Sequence, residues 1–422
     1  LKKRKKLKGI GSMHNCRFCN SKIEKEFLNI GKTPLANSFL SKRDIENLDE
    51  MYLPLKIYFC KKCHLIQVPK YCAPEKIFKD DYAYYSSYSS SWIEHCENYF
   101  QKIKKKLKLS SKSLVIEVGS NDGCLLDFFN KDNIPVLGVE PSANVAQVAI
   151  RRGINTEISF FNSALVDKLL LQGKKADLLI ANNVIAHTPY LNDFVFSISK
   201  ILKKKGIATI EFPHVLNLLK YCQFDTIYHE HFSYFSLYSI KKIFEFHGLD
   251  VFDVETLVTH GGSLRLYIKK KINVENSISN NVQKFLDLEL QEKIFSDITY
   301  VNFEKKTKNI RNSFILFLKD AKEKKYKIAG YGAPAKGNTL LNFCNISKNL
   351  IRYTVDKNIH KQNLFLPGSN IPIYSPEFIK KDKPDYLIIL PWNIKNEIVE
   401  EMSFIRKWGG KFVVVLPELI VF

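Results

Sequence analysis

Apolar residues follow two rhythms along this chain. Between about residues 109 and 269, short runs of Val, Ile and Leu alternate with stretches of helical spacing. Runs of this kind bounded by turn residues read as buried strands of a mostly parallel sheet. They predict strands at Leu114–Val118, Pro135–Val139, Ala176–Ala181, Gly206–Phe212, Leu249–Leu257 and Ser263–Lys269. Amphipathic stretches such as Phe194–Leu202 and Ile240–His247 predict the intervening helices. The last two strands, joined through His260-Gly261-Gly262, predict a hairpin at the end of the sheet. The same alternation returns with Tyr326–Tyr331, Ile351–Val355, Tyr386–Leu390 and Lys411–Leu416. Residues 275–325 between the two units have helical periodicity with many Lys and Glu, which predicts long linking helices. Residues 13–75 have no long helical period and form a third, smaller unit. The expected class is α/β, with two Rossmann-like, doubly wound domains and a small N-terminal domain. Expected boundaries are 13–75, 76–270, a helical linker at 271–325, and 326–422.

The first strand of the middle unit runs straight into a glycine-spaced turn, LVIEVGSNDG at 114–123. A buried strand, a tight turn and a helix N-terminus make a cofactor-binding device. Gly119 and Gly123 permit backbone conformations that a Cβ would forbid. The next strand, VLGVE, ends in Glu140, placed to take the two hydroxyls of a ribose. Asn121 stands where the dinucleotide pattern needs glycine. The order strand, E-x-G-x-x-x-G, helix, strand, Glu resembles instead the S-adenosylmethionine (SAM) methyltransferase fingerprint. That resemblance brings Glu117 and Asn121 into the cofactor set, against the methionine and ribose parts.

Cysteine usage adds a metal. Of nine cysteines, four fall in Cys16-x-x-Cys19 and Cys60-x-x-Cys63. Each pair can form a turn presenting two thiolates, and two such turns complete a tetrahedral zinc site. With four thiolates no position stays open, so the zinc is expected to be structural.

Charge changes the picture little. The formal net charge is +21, and six positive charges lie in LKKRKKLK at the start, before Met13. Residues 1–12 are therefore expected to be a leader or tag. The remaining excess is scattered Lys, weak support for nucleic acid and compatible with an anionic substrate. No run approaches the roughly 20 apolar residues of a membrane span. A cytoplasmic monomer, without nucleic-acid or membrane partners, is expected.

Four polar stretches are candidates for chemistry. KDDYAYYSSYSSSW at 79–92 suits a surface turn acting as a lid or substrate loop. Asn182-Asn183-Val184-Ile185-Ala186-His187 follows a strand, where open α/β sheets bind ligands. Tyr228-His229-Glu230-His231 gathers two imidazoles, a carboxylate and a phenol, which are costly to bury without a role. A histidine is well matched to general-base work at neutral pH, and a neighbouring glutamate can orient it. Lastly, Gly330-x-Gly332-Ala333-Pro334-Ala335-Lys336-Gly337 turns into a helix and offers an anion site.

Together these motifs resemble the three-domain, SAM-dependent sugar C-methyltransferases of deoxysugar biosynthesis. The resemblance covers residues 13–422 through C-x-x-C…C-x-x-C, YAYYSSYS, EVGSNDG, NNVIAH, YHEHFSYFS, GYGAPAKGNTLLN and VDKN…PGSNIPI. It implies methylation of a nucleotide-linked 4-keto deoxysugar, dTDP-linked before GDP or CDP, at the carbon beside the ketone, usually C3. By the family pattern His231 is the base, and Glu230 orients or polarises it. Tyr228 and His187 hydrogen-bond the sugar or the enolate oxygen, and Tyr82 closes over the cofactor or sugar. Glu140 holds the SAM ribose, Phe160 and Phe161 sandwich the adenine, and Asn182 joins the cofactor set. Lys336, Gly332, Asn338 and His229 meet the substrate. Two other classes stay open: a zinc-containing RNA-modifying methyltransferase and a non-catalytic nucleotide-sugar-binding protein.

Overall fold

The computed structural model describes residues 15–23, 26–47, 50–78, 82 and 84–422. The expected leader at 1–12 lies outside these residues. Strands are β1 (Glu26–Pro34), β2 (Tyr52–Phe59), β3 (Ile66–Gln67), β4 (Val115–Val118), β5 (Val136–Val139) and β6 (Thr156–Glu157). Then come β7 (Ala176–Asn182), β8 (Leu202–Pro213), β9 (Ser233–Tyr234), β10 (Leu249–Leu257) and β11 (Ser263–Lys270). The C-terminal strands are β12 (Ile328–Tyr331), β13 (Thr354–Val355), β14 (Ile373–Tyr374), β15 (Tyr386–Ile389), β16 (Lys411–Val414) and β17 (Ile420–Val421).

The middle unit is a seven-stranded sheet in the order β10-β11-β8-β7-β4-β5-β6. Strands β4 to β8 pair in parallel, and β11 is antiparallel to both β8 and β10. The apolar runs form the expected strands because both sheet faces are covered: β4 is buried at every position. The order reverses beside β4, where the first strand's glycine turn opens, and a ligand crevice forms at such a reversal. Short β6 was not foreseen, since Thr156–Glu157 carries no apolar run. The helix expected at Ile240–His247 starts earlier, at Leu237, because Ser236 and Ser239 cap it reciprocally. The tyrosine-serine stretch is not a loop throughout. A helix begins at Ser90 and continues to Leu107, with the Ser89 hydroxyl accepting from Trp92 N.

The C-terminal lobe is a six-stranded sheet, β14-β13-β12-β15-β16-β17, parallel except for β17. The linker forms helices Asn280–Gln291 and Asp297–Glu323. The second buries Tyr300, Phe303, Thr307, Ile310, Phe314, Leu318 and Ala321, an apolar stripe at three- and four-residue steps. That stripe shares one apolar core with Leu28 and Ile30 of β1 and with Leu340 and Leu341 of the C-terminal lobe. The linker is thus the spine against which the outer units pack.

The small N-terminal sheet has the order β1-β2-β3-β9. Its last strand lies far outside residues 13–75, two residues beyond the Tyr-His-Glu-His cluster, and pairs with Ile66–Gln67. The Cys-rich unit is therefore stitched directly to that cluster.

Candidate active site

The four cysteines converge. Their sulfurs all lie within 4.8 Å of one another, with Cys16 Sγ 3.5 Å from Cys63 Sγ and Cys19 Sγ 3.6 Å from Cys60 Sγ. Zinc at about 2.3 Å from each thiolate sets tetrahedral sulfurs about 3.8 Å apart, so the set fits zinc. Gln67 donates to Cys16 Sγ at 3.2 Å, an outer-sphere hydrogen bond of the kind that orients a ligand.

A cavity of about 440 Å³ opens above the β4 turn, and most of the expected site residues border it. The end beside that turn is built locally. Gly119 has φ 66°, and a Cβ there would lie 2.4 Å from Val184 Cγ2. Glu140 accepts from Asn121 N at 3.0 Å and Ser142 N at 2.9 Å. Burial raises its pKa, and these two N–H groups oppose the shift. Glu117 is raised well above the carboxylate range by burial and then by neighbouring Cys124 and Asp122. Its Oε2 and both polar side-chain atoms of Asn182 are buried without a partner among the described residues. Unpaired polar groups facing a cavity await a polar ligand, and these suit the amino-acid end of SAM. Phe160 and Phe161 line the same end, Phe161 edge-on to Phe194 at 5.3 Å.

The tyrosine loop is fastened over this end. Asn121 Oδ1 accepts from Ser86 N, its Nδ2 donates to Tyr84 O, and Asn144 Nδ2 donates to Tyr82 O. Tyr82 lines the cavity and packs against Phe78. The Asn121 side chain thus serves the loop, while its backbone serves Glu140.

At the other end sits the Tyr228–His231 turn. Phe232 N donates to Ala186 O at 2.7 Å, which ties this turn to the segment after β7. His231 Nδ1 donates to Thr226 O at 3.0 Å, so Nε2 carries the lone pair, and the Tyr228 hydroxyl lies 2.9 Å from it. Burial holds His231 well below the usual imidazole range, with His187 adding to the effect, so the ring is neutral at pH 7. The His187 ring stands edge-on 4.7 Å away, and burial lowers it to about 4. Glu230 is pushed up to about 7 by burial, and its strongest opposing contact is Asn37. Burial also raises the Tyr228 and Tyr82 phenols, keeping both as hydrogen-bond donors.

The C-terminal lobe closes the cavity with two lysines. Lys336 Nζ donates to Asn393 Oδ1 at 2.7 Å and lies over the Trp392 ring, whose Nε1 donates to Asp225 at 2.7 Å. Lys361 Nζ donates to Ala333 O and lies over the Phe39 ring. Neither lysine has a carboxylate within salt-bridge distance among the described residues.

Of the expected site residues, Glu117, Gly119, Asn121, Glu140, Phe160, Phe161, Asn182, His187, Tyr82, Tyr228, Glu230, His231 and Lys336 border the cavity. Four other expected residues do not border the cavity. His229 turns away from the cavity and hydrogen-bonds Pro54 O of β2 at 3.0 Å. Gly332 gives its N–H to Val355 O, and a Cβ there would strike Pro391, so it is a packing glycine. Asn338 is buried and donates to Ala36 O at 2.6 Å, joining two units. Gly123, φ 77°, is the N-cap of the helix that starts at Cys124, and a Cβ there would crowd Ala149 and Ile154. Sequence reasoning missed Asn37, Phe78, His260 and Lys361, all of which border the cavity. Each sits in a segment without a chemical pattern of its own.

Over 409 residues the chain is 34% identical to C-methyltransferase NovU of Streptomyces niveus, with 97% of each protein covered. The chain belongs to the C-methyltransferase family. Three family models tile it: "Putative zinc binding domain" at 16–78, "Methyltransferase domain" at 92–254 and "C-methyltransferase C-terminal domain" at 258–417. Among solved structures, magnesium protoporphyrin IX methyltransferase of Synechocystis PCC 6803 with bound SAH is 15% identical. It covers 42% of this chain and 83% of its own, with TM-score 0.34. The PH0226 protein of Pyrococcus horikoshii OT3 is 14% identical, covering 45% and 95%, with TM-score 0.35. The chain is a methyltransferase, and its four clustered cysteines lie within the segment matched as a zinc-binding domain. No helix among the described residues is long and apolar enough to cross a membrane.

Proposed function

We propose that this C-methyltransferase methylates a nucleotide-linked 4-keto deoxysugar at the carbon beside the ketone, C3, in the making of a branched sugar. The observation that carries the reading is one cavity bordered both by the Gly119 turn and by the Tyr228–His231 cluster. A ketone acidifies its neighbouring C–H, but removal of that proton still needs a base and a stabilised enolate. His231 Nε2 carries the ring's lone pair and takes the proton. Tyr228 shares that lone pair at rest and turns its hydroxyl to the enolate oxygen, with His187 beside it. SAM, when bound, supplies an electrophilic methyl group to the carbanion-like carbon. Glu117, Asn182 and Glu140 hold its polar groups, Phe160 and Phe161 its adenine. Lys336 and Lys361, cations with no carboxylate in salt-bridge distance among the described residues, meet the nucleotide diphosphate, and dTDP is the first nucleotide to try.

The test is incubation of dTDP-, GDP- and CDP-linked 4-keto deoxysugars with enzyme and SAM, read by mass spectrometry. A methyl gained on the sugar fragment, with S-adenosylhomocysteine formed, is expected. In deuterated water the enzyme should also exchange the C3 proton. Absence of both from every ketosugar, with SAM still bound, would overturn the proposal.

A further inference from the structure

Glu230 is a buried carboxylate at the cavity wall with no cation within salt-bridge distance among the described residues. Its hydrogen-bond donor comes from another unit. Asn37 Nδ2 lies 2.8 Å from Glu230 Oε1 and 2.9 Å from Oε2, a single amide bridging both oxygens. Such a bridge fixes the plane of the carboxylate and favours its ionised form.

Asn37 is itself held from the C-terminal lobe on both sides. Asn338 Nδ2 donates to Ala36 O at 2.6 Å. Leu40 and Phe365 exchange two backbone hydrogen bonds, of 3.0 and 2.8 Å. Between them, Lys361 lies over the Phe39 ring. Residues 36–40 therefore form a strap gripped by the C-terminal lobe and aimed at the catalytic turn.

We infer that Asn37 is a positioning residue of this enzyme, holding the Glu230 carboxylate in place while the C-terminal lobe grips the strap at residues 36–40. The inference rests on the proposed sugar C-methylation for its kinetic arm only. Glu230 faces other charged or titratable groups as well. These are Lys361 from the C-terminal lobe, His187 after β7, Tyr82 from the lid, and Tyr228 and His231 on its own turn. None of these is changed by substitution at Asn37.

Asn37→Asp preserves shape and replaces the donor with a second carboxylate. Infrared difference titration of the full-length zinc enzyme, with Glu230→Gln as reference, reads the Glu230 carboxyl without any substrate. The Glu230 midpoint is expected to rise by about one pH unit or more in Asn37→Asp, and by less in Asn37→Ala. Zinc content and SAM affinity should stay at wild-type values. With an accepted ketosugar, kcat in Asn37→Asp should fall at least roughly tenfold with KM for SAM unchanged, because Glu230 borders the cavity beside the proposed base His231. An unmoved midpoint in Asn37→Asp overturns the inference, even if the wild type methylates sugars as proposed. A wild type inactive on every ketosugar refutes the substrate reading instead, and the midpoint shift still decides the role of Asn37.

Discussion

The two ends of the cavity are made in different ways. The cofactor end comes mainly from one continuous stretch, Glu117 to Phe194, shaped by strands β4, β5 and β7 and the turns that follow them. The proposed catalytic end takes Asn37 from the N-terminal unit, Tyr228–His231 from a turn of the middle unit, and Lys336 and Lys361 from the C-terminal lobe. One end is therefore encoded by local chain geometry and the other by docking. Damage to docking should cost catalysis before it costs cofactor binding.

The largest effect should come from the catalytic end. His231→Ala is expected to lower C3 proton exchange by about 10²- to 10⁴-fold, the usual contribution of a general base. SAM affinity by calorimetry should stay within about twofold. Loss of SAM binding in the same variant would show that the two ends are not separable.

Zinc removal comes next. Structural zinc supplies about 10 kcal/mol or more of binding energy to a small unit that does not hold its ligands otherwise. Chelation, or Cys60→Ser, should release the Cys16–Cys63 cluster, and with it the β3–β9 pairing and the Asn37 bridge. Methyl transfer should fall by about a hundredfold, the scale of a displaced catalytic group. SAM binding measured on the same sample should persist, since β4 to β7 do not depend on the metal. Equal loss of both activities would erase the proposed contrast.

Gly119→Ala probes the other end and should do the reverse. Left-handed backbone costs a residue with a Cβ about 1–2 kcal/mol, roughly a tenfold effect on an equilibrium. Val184 must also shift, because Cγ2 would lie 2.4 Å from the new atom. SAM affinity should weaken at least tenfold, on the same strain estimate, while KM for the sugar stays near wild type. A sugar KM that moves equally would show that the turn also shapes the catalytic end.

The smallest effect is in pH dependence. Burial raises the Glu230 carboxyl to about 7. A raised carboxyl is protonated below that value, so exchange should decline as pH falls through about 7. His231, held low by burial, stays neutral over the same range. Glu230→Gln should lower exchange and remove this acid limb. A limb that survives the substitution would belong to another group.

This contrast also explains what could be read in the chain. Strands β4, β5, β7, β10 and β11 were legible because apolar runs and turn residues bound them, and both cysteine pairs were legible from spacing. The Tyr-His-Glu-His cluster stood out by its rare composition. Even there, composition could not say which side chains face inward. His229 turns to Pro54 because β9 begins only four residues later and pairs with β3, which sets the turn's orientation. Asn338 and Gly332 lie in a motif that looks like a ligand turn. Their neighbours Ala36 and Pro391 come from distant parts of the chain, and no local pattern announces them. Asn37 was invisible for the same reason: its partner lies 193 residues away.

Strand β9 sets a limit on how this enzyme can be taken apart or recombined. The family models divide the chain at 78 and 92, as though the first unit were a detachable module. The sheet ignores that division, since Ser233–Tyr234 completes it from within the methyltransferase segment. A chimera that exchanges the cysteine unit between relatives would present a foreign edge to the catalytic turn. Only donors whose edge strand matches residues 233–234 in register should yield an active hybrid. In inheritance as in engineering, the cysteine unit and the catalytic turn must travel together.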